Sequence, residues 1–122
     1  MKRLTAVCLM AIMVLALAAC GGEKSDTRTI DTFVKAFQES GVEVDAGEKP
    51  AFDMIGASDG VIFYIDNKVV KIYEYKDIKA LSDTQKQYGE LMETWTTNGK
   101  FILETSSEKA TEIFAGVPSD NK

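Results

Sequence analysis

The sequence predicts an α+β domain in two layers, a small and mostly antiparallel sheet of about four strands with three helices in the order α-β-β-β-α-β-α. Two observations carry this. The stretch from Val61 to Tyr75 places β-branched and aromatic residues on either side of a polar Asp66-Asn67-Lys68 turn, the pattern of a β-hairpin. Ile30, Phe33, Val34 and Phe37 recur at i, i+3, i+4 and i+7, the apolar stripe of an amphipathic helix.

The first helix is predicted to start at a cap supplied by Thr29 or Asp31 and to stop at Gly41. Val42-Glu43-Val44 alternates as a short strand does, and Gly47-Glu48-Lys49-Pro50 breaks it. Residues 51–55 are a short strand or an irregular lead-in, and Gly56-Ala57-Ser58-Asp59-Gly60 is a turn signal. A two-residue turn at Asn67-Lys68 sets Phe63 opposite Ile72 and Ile65 opposite Val70 on one face of the hairpin. Ile62, Tyr64, Lys71, Tyr73 and Tyr75 take the other face.

From Ile78 the apolar positions Leu81, Tyr88, Met92 and Trp95 keep helical spacing as far as the tryptophan, which is expected in the core. Ser82-Asp83 is a possible internal cap, and Gly89 costs such a helix about 1 kcal/mol relative to alanine. Thr96-Thr97-Asn98-Gly99 then reads as a turn into a last strand over 100–104. Thr105 with Glu108 forms a capping box for the closing helix, which turns Ala110, Ile113 and Phe114 inward and stops at Gly116.

Ahead of this domain, Met1-Lys2-Arg3 precedes an uncharged apolar run from Leu4 to Leu17, and Leu17-Ala18-Ala19-Cys20 has the form of a lipobox. The run is shorter than the roughly 20 residues a membrane-crossing helix needs. Residues 1–19 are therefore expected to be a lipoprotein signal peptide, cleaved between Ala19 and Cys20, with Cys20 carrying the diacylglyceryl group. Residues 20–28, beginning Cys20-Gly21-Gly22, are expected to act as a flexible tether. The globular domain spans 29–117, and 118–122 is a polar tail. This organisation predicts a lipid-anchored protein on the outer side of a bacterial cell membrane, because two or three acyl chains hold a protein stably where one does not.

Charge and composition then narrow the chemistry. Removing Lys2 and Arg3 with the signal leaves 12 basic against 19 acidic side chains, a net charge of −7. Nucleic acid is disfavoured as a partner, since phosphate binding needs a basic stripe. Cys8 lies in the signal, Cys20 is consumed by lipid, and the chain has no histidine. Cys-His and Ser-His catalysis and zinc sites with thiolate or imidazole ligands have no residues to use.

The remaining candidates have ordinary structural readings. Ser106-Ser107-Glu108-Lys109 contains a Ser-x-x-Lys spacing without the Lys-Thr-Gly strand that accompanies it in penicillin-recognising enzymes, and helix capping accounts for it. Glu108 and Glu112 share a solvated helix face. Asp45, Glu48, Asp53 and Asp59 lack the spacing of a calcium loop. No metal and no cofactor is expected.

Tyr64, Tyr73 and Tyr75 form the candidate partner surface: an aromatic patch if that side of the hairpin is open, and core if a helix covers it. The sequence thus points to a non-catalytic binding module for a protein or peptide partner. The alternative is a structural or accessory lipoprotein of an envelope complex with no ligand of its own.

The lipobox, Gly41-Val42-Glu43-Val44, Ile72-Tyr73-Glu74-Tyr75 and the closing Asn98-Gly99-Lys100-Phe101-Ile102-Leu103 together resemble a group of small, uncharacterised lipoproteins of Gram-positive bacteria. The resemblance covers most of the mature chain. It implies a fold and a location, and no activity.

Overall fold

A computed structural model describes residues 26–119. The signal peptide, Ala19, Cys20 and the first part of the expected tether lie outside the described residues, as do the last residues of the tail. The described chain runs α1 (Ile30–Glu39), β1 (Asp59–Ile65), β2 (Lys68–Glu74), α2 (Ile78–Tyr88), β3 (Thr96–Asn98), β4 (Phe101–Thr105) and α3 (Glu108–Gly116), with 3-10 turns at Phe52–Ile55 and Gly89–Met92. The class is α+β, as the sequence predicts. The four strands form one antiparallel sheet in the order β1-β2-β4-β3.

Four local expectations are corrected. Val42-Glu43-Val44 is not a strand: Val42 is buried and Val44 packs on the core, but the segment pairs with no neighbour. Its place in the sheet goes to Thr96–Asn98, a three-residue strand so short and polar that it reads as a turn. The element order is accordingly α-β-β-α-β-β-α. α2 ends at Tyr88, because Gly89 takes a positive φ of 42° and opens a 3-10 turn, so Trp95 lies beyond any helix. The cap of α3 is Ser107, whose hydroxyl accepts from the Ala110 amide at 3.1 Å, while the Thr105 hydroxyl donates to the Val69 carbonyl.

The hairpin turn falls on Asp66-Asn67, one residue earlier than the sequence suggests, and pairs Ile65 with Lys68 and Phe63 with Val70. Both turn residues have positive φ, 50° and 66°, a conformation that Asp and Asn tolerate and Lys does not favour. The register shifts by two residues, so every side chain keeps its expected face.

α1 and α3 cover one face of the sheet. Phe33 sits between Phe101 and Phe114, with ring centroids 4.3 and 5.0 Å away, and Phe37 meets Phe63 edge-on at 4.9 Å. Val61, Phe63, Ile65, Val70, Ile72 and Leu103 supply the strand side of this core. α2 and the 3-10 turns cover part of the opposite face, over Tyr73, Tyr75 and Ile102.

Asp26 and Arg28, which the sequence places at the end of the tether, are part of this packing. Asp26 and Arg28 are both buried and form an ion pair, Nη2 to Oδ2 at 2.6 Å and Nε to Oδ1 at 2.8 Å. Asp26 also accepts from the Lys100 amide at 3.0 Å. Arg28 donates onward to the carbonyls of Asn98 and Pro118 and lies over the Phe33 and Phe101 rings. One guanidinium thus ties the start of the domain to the β3–β4 turn and to its end. Gly99 at the tip of that turn has φ 64°, and a Cβ there would strike Asp26 and Arg28. Beside it, Glu74 accepts from the first amide of α1, Ile30, at 3.0 Å and from Lys100 Nζ at 3.2 Å.

Burial opposes ionisation of Asp26. The hydrogen bonds from the Arg28 side chain and the Lys100 and Arg28 amides, with the Arg28 charge, outweigh it and hold the carboxyl below its ordinary value of 3.8. A depressed carboxylate contributes stability that is complete above the unfolded value and is lost as pH falls through the folded one. Asp26→Ala should therefore cost about 3 kcal/mol near neutrality, the scale for stripping one partner from a buried pair. The difference from the parent should shrink below pH 3.8, which urea unfolding across an acid pH series measures. A cost that stays constant down to pH 2 contradicts this account.

Candidate functional site

The hairpin tyrosines meet different fates. Tyr64 is 62% exposed, Tyr73 is 5% exposed and Tyr75 is fully buried. The candidate partner surface made of all three is therefore corrected, since two of its members belong to the second core. The Tyr73 ring stacks on Trp95 at 6.1 Å and its hydroxyl donates to Glu104 at 3.3 Å. The Tyr75 hydroxyl donates to the Ile55 carbonyl at 2.7 Å, which ties β2 to the first 3-10 turn. Burial, then the charge of Glu104, raises the Tyr73 phenol well above its ordinary value; burial, then Tyr88, pushes that of Tyr75 up to about 12. These are packing residues with satisfied polar ends. Trp95 is half-buried against the same core, close to its expected role.

The other sequence candidates stay apart. Ser106 and Lys109 are both exposed, and Glu108 and Glu112 lie exposed on α3. Among the described residues no group of three or more His, Cys, Asp or Glu is placed to hold a metal ion. No helix among them is long and apolar enough to cross a membrane.

What the structure brings together is a groove along β1. β1 is an edge strand, and the loop following Val42 runs beside it. The groove between them is open, about 800 Å³, and is lined by Glu43, Val44, Asp45, Glu48 and Lys49 on the loop and by Ile62, Phe63 and Tyr64 on the strand. The loop is anchored at several points. Val42 is buried, Gln38 donates to the Val44 carbonyl at 3.3 Å, the Ile62 amide donates to the Glu48 carbonyl at 3.2 Å, and Lys49 pairs with Asp59 at 2.9 Å. Asp45 accepts from the Gly47 amide and so shapes the turn.

The bond from Ile62 reveals the direction of the strand edge. The Ile62 amide points away from β2, and alternation along an antiparallel ladder sends the backbone groups of Tyr64 the same way. Lys49, the groove's cation, is engaged with Asp59, whereas Glu43, Asp45 and Glu48 are exposed and have no cationic partner among the described residues. The site is thus an acidic-walled slot beside an open stretch of strand edge. Sequence reasoning missed it because the strand expected at Val42–Val44 is really its loop wall, and because three acids in a loop carry no spacing signal.

The chain matches no family model, no curated protein and no solved structure.

The two classes of tyrosine separate by truncation. Tyr75→Ala should cost about 3–5 kcal/mol, as large aromatic truncations in cores do. Tyr64→Ala should stay within about 0.5 kcal/mol, as exposed positions do. Denaturant midpoints of the two variants check this, and equal losses would mean that Tyr64 is packed as Tyr75 is.

Proposed function

We propose that this protein is a lipid-anchored, non-catalytic binding module held at the outer face of a bacterial cell membrane. The observation that carries the reading is Leu17-Ala18-Ala19-Cys20 behind a charged start and an uncharged apolar run, together with the position of the first docked residue, Asp26. Six residue steps separate Cys20 from Asp26, so the chain can span no more than about 22 Å between lipid and domain. Asp26 is fixed at the β3–β4 turn, which register places at the Glu74 end of β2. Tyr64 pairs with Val69, about 17 Å further along the strands. An anchor at Cys20 would therefore attach the domain through the clasped end of the sheet, with Tyr64 at the far end of the groove. The groove supplies a preformed surface for a partner, and the absence of histidine from the chain argues against the common catalytic pairs.

A second reading is supported by the burial of Tyr73 and Tyr75, which removes the aromatic surface expected of a binding protein. On that reading the domain is an accessory lipoprotein of an envelope complex, with no ligand of its own.

Cys20→Ser should abolish fatty-acid labelling, because a serine hydroxyl does not replace the thiolate nucleophile. Labelling equal to the parent's would rule out lipidation at Cys20.

A further inference from the structure

We infer that the β1 edge accepts a short, basic, extended peptide segment as an added strand, in the groove walled by Glu43, Asp45 and Glu48. This rests on the binding-module reading and specifies its partner. Backbone geometry selects an extended segment. The Glu48 carbonyl caps the Ile62 amide, and the Ile62 carbonyl and both backbone groups of Tyr64 are left facing the slot. Groups spaced along a strand edge are matched by another strand and by little else. The anchored loop keeps the slot open in advance, so a peptide need not first displace it.

Charge selects the composition. Three carboxylates face the slot and its lysine is already neutralised by Asp59, so lysine or arginine side chains of an entering peptide meet complementary charge on the loop side. Apolar side chains at alternate positions meet the exposed Tyr64 ring and Ile62. A second copy of this chain is the wrong occupant. Pairing β1 with β1 would set the same acidic wall against itself, in a chain of net charge −5.

The test uses the full chain in neutral detergent micelles and a fluorescein-labelled peptide, Lys-Val-Lys-Val-Lys-Val, read by anisotropy at low salt. Binding is expected, with slowed hydrogen exchange at the Tyr64 amide. The triple variant Glu43→Gln, Asp45→Asn, Glu48→Gln keeps the loop's polar groups and should weaken binding about ten-fold. N-methylation of alternate peptide nitrogens on the pairing edge should abolish it with the protein untouched. The inference is overturned if the basic peptide does not bind, if the N-methylated or a Glu-Val peptide binds as well as it does, if the triple variant binds as the parent does, or if Tyr64 exchange does not slow. None of these outcomes depends on lipidation, which fails or stands by the Cys20→Ser result alone.

Discussion

The buried Asp26–Arg28 pair is the constraint from which the rest of the arrangement follows. A buried ion pair contributes little net stability over an apolar replacement, because desolvation consumes most of the Coulombic gain. Its value here is in specification. Asp26 closes on the Lys100 amide, Arg28 reaches Asn98 and Pro118, and the guanidinium rests on Phe33 and Phe101. Three chain segments that are far apart in sequence are therefore held in one mutual placement by these bonds. Asn98 reinforces it by donating to the Phe114 and Val117 carbonyls at the end of α3. The short strand β3 is held in the sheet both by its three-residue pairing with β4 and by this cluster at Asn98.

Both faces of the central strands are then needed for burial. Val70, Ile72, Phe101 and Leu103 face α1 and α3, while Tyr73, Tyr75 and Ile102 face α2 and the 3-10 turns. α2 packs over the β2–β4 part of its face. The β1 side of that face, with Ile62 and Tyr64, stays accessible. A tyrosine's environment on this sheet is thus decided by how far along the strand it stands from the end that α2 covers. Tyr75 is under the cover, Tyr73 is at its margin beside Trp95, and Tyr64 is outside it.

The same asymmetry leaves β1 as the longer and more open of the two edges. β3, the other edge, is three residues long and sits beside the clasp. β1 is seven residues long, and the loop covers its first part, through the Lys49–Asp59 pair and the Ile62–Glu48 hydrogen bond, leaving the part at Tyr64 open. Proteins usually blunt such edges with charge. Here the charge is gathered on the facing loop as Glu43, Asp45 and Glu48, and on the proposed peptide reading it disfavours acidic chains and favours basic ones.

Periodicity and turn chemistry in the sequence alone determined the α+β class, the stripe of α1, the hairpin with its two faces, the last strand and the last helix, because each depends on residues close together in the chain. The lipobox reading likewise needs only adjacent residues. Tertiary structure decided the rest. Whether Val42–Val44 pairs as a strand depends on a partner elsewhere in the chain, and Thr96–Asn98 is a strand only because β4 lies beside it. The turn moved to Asp66-Asn67 because positive φ at both positions excludes Lys68. Asp26 and Arg28 look like polar tether residues until the β3–β4 turn supplies their partners. The tyrosines alternate correctly on the hairpin, yet alternation gives only a face. Whether that face is core or surface depends on where a helix some residues later comes to rest, and no local pattern encodes that.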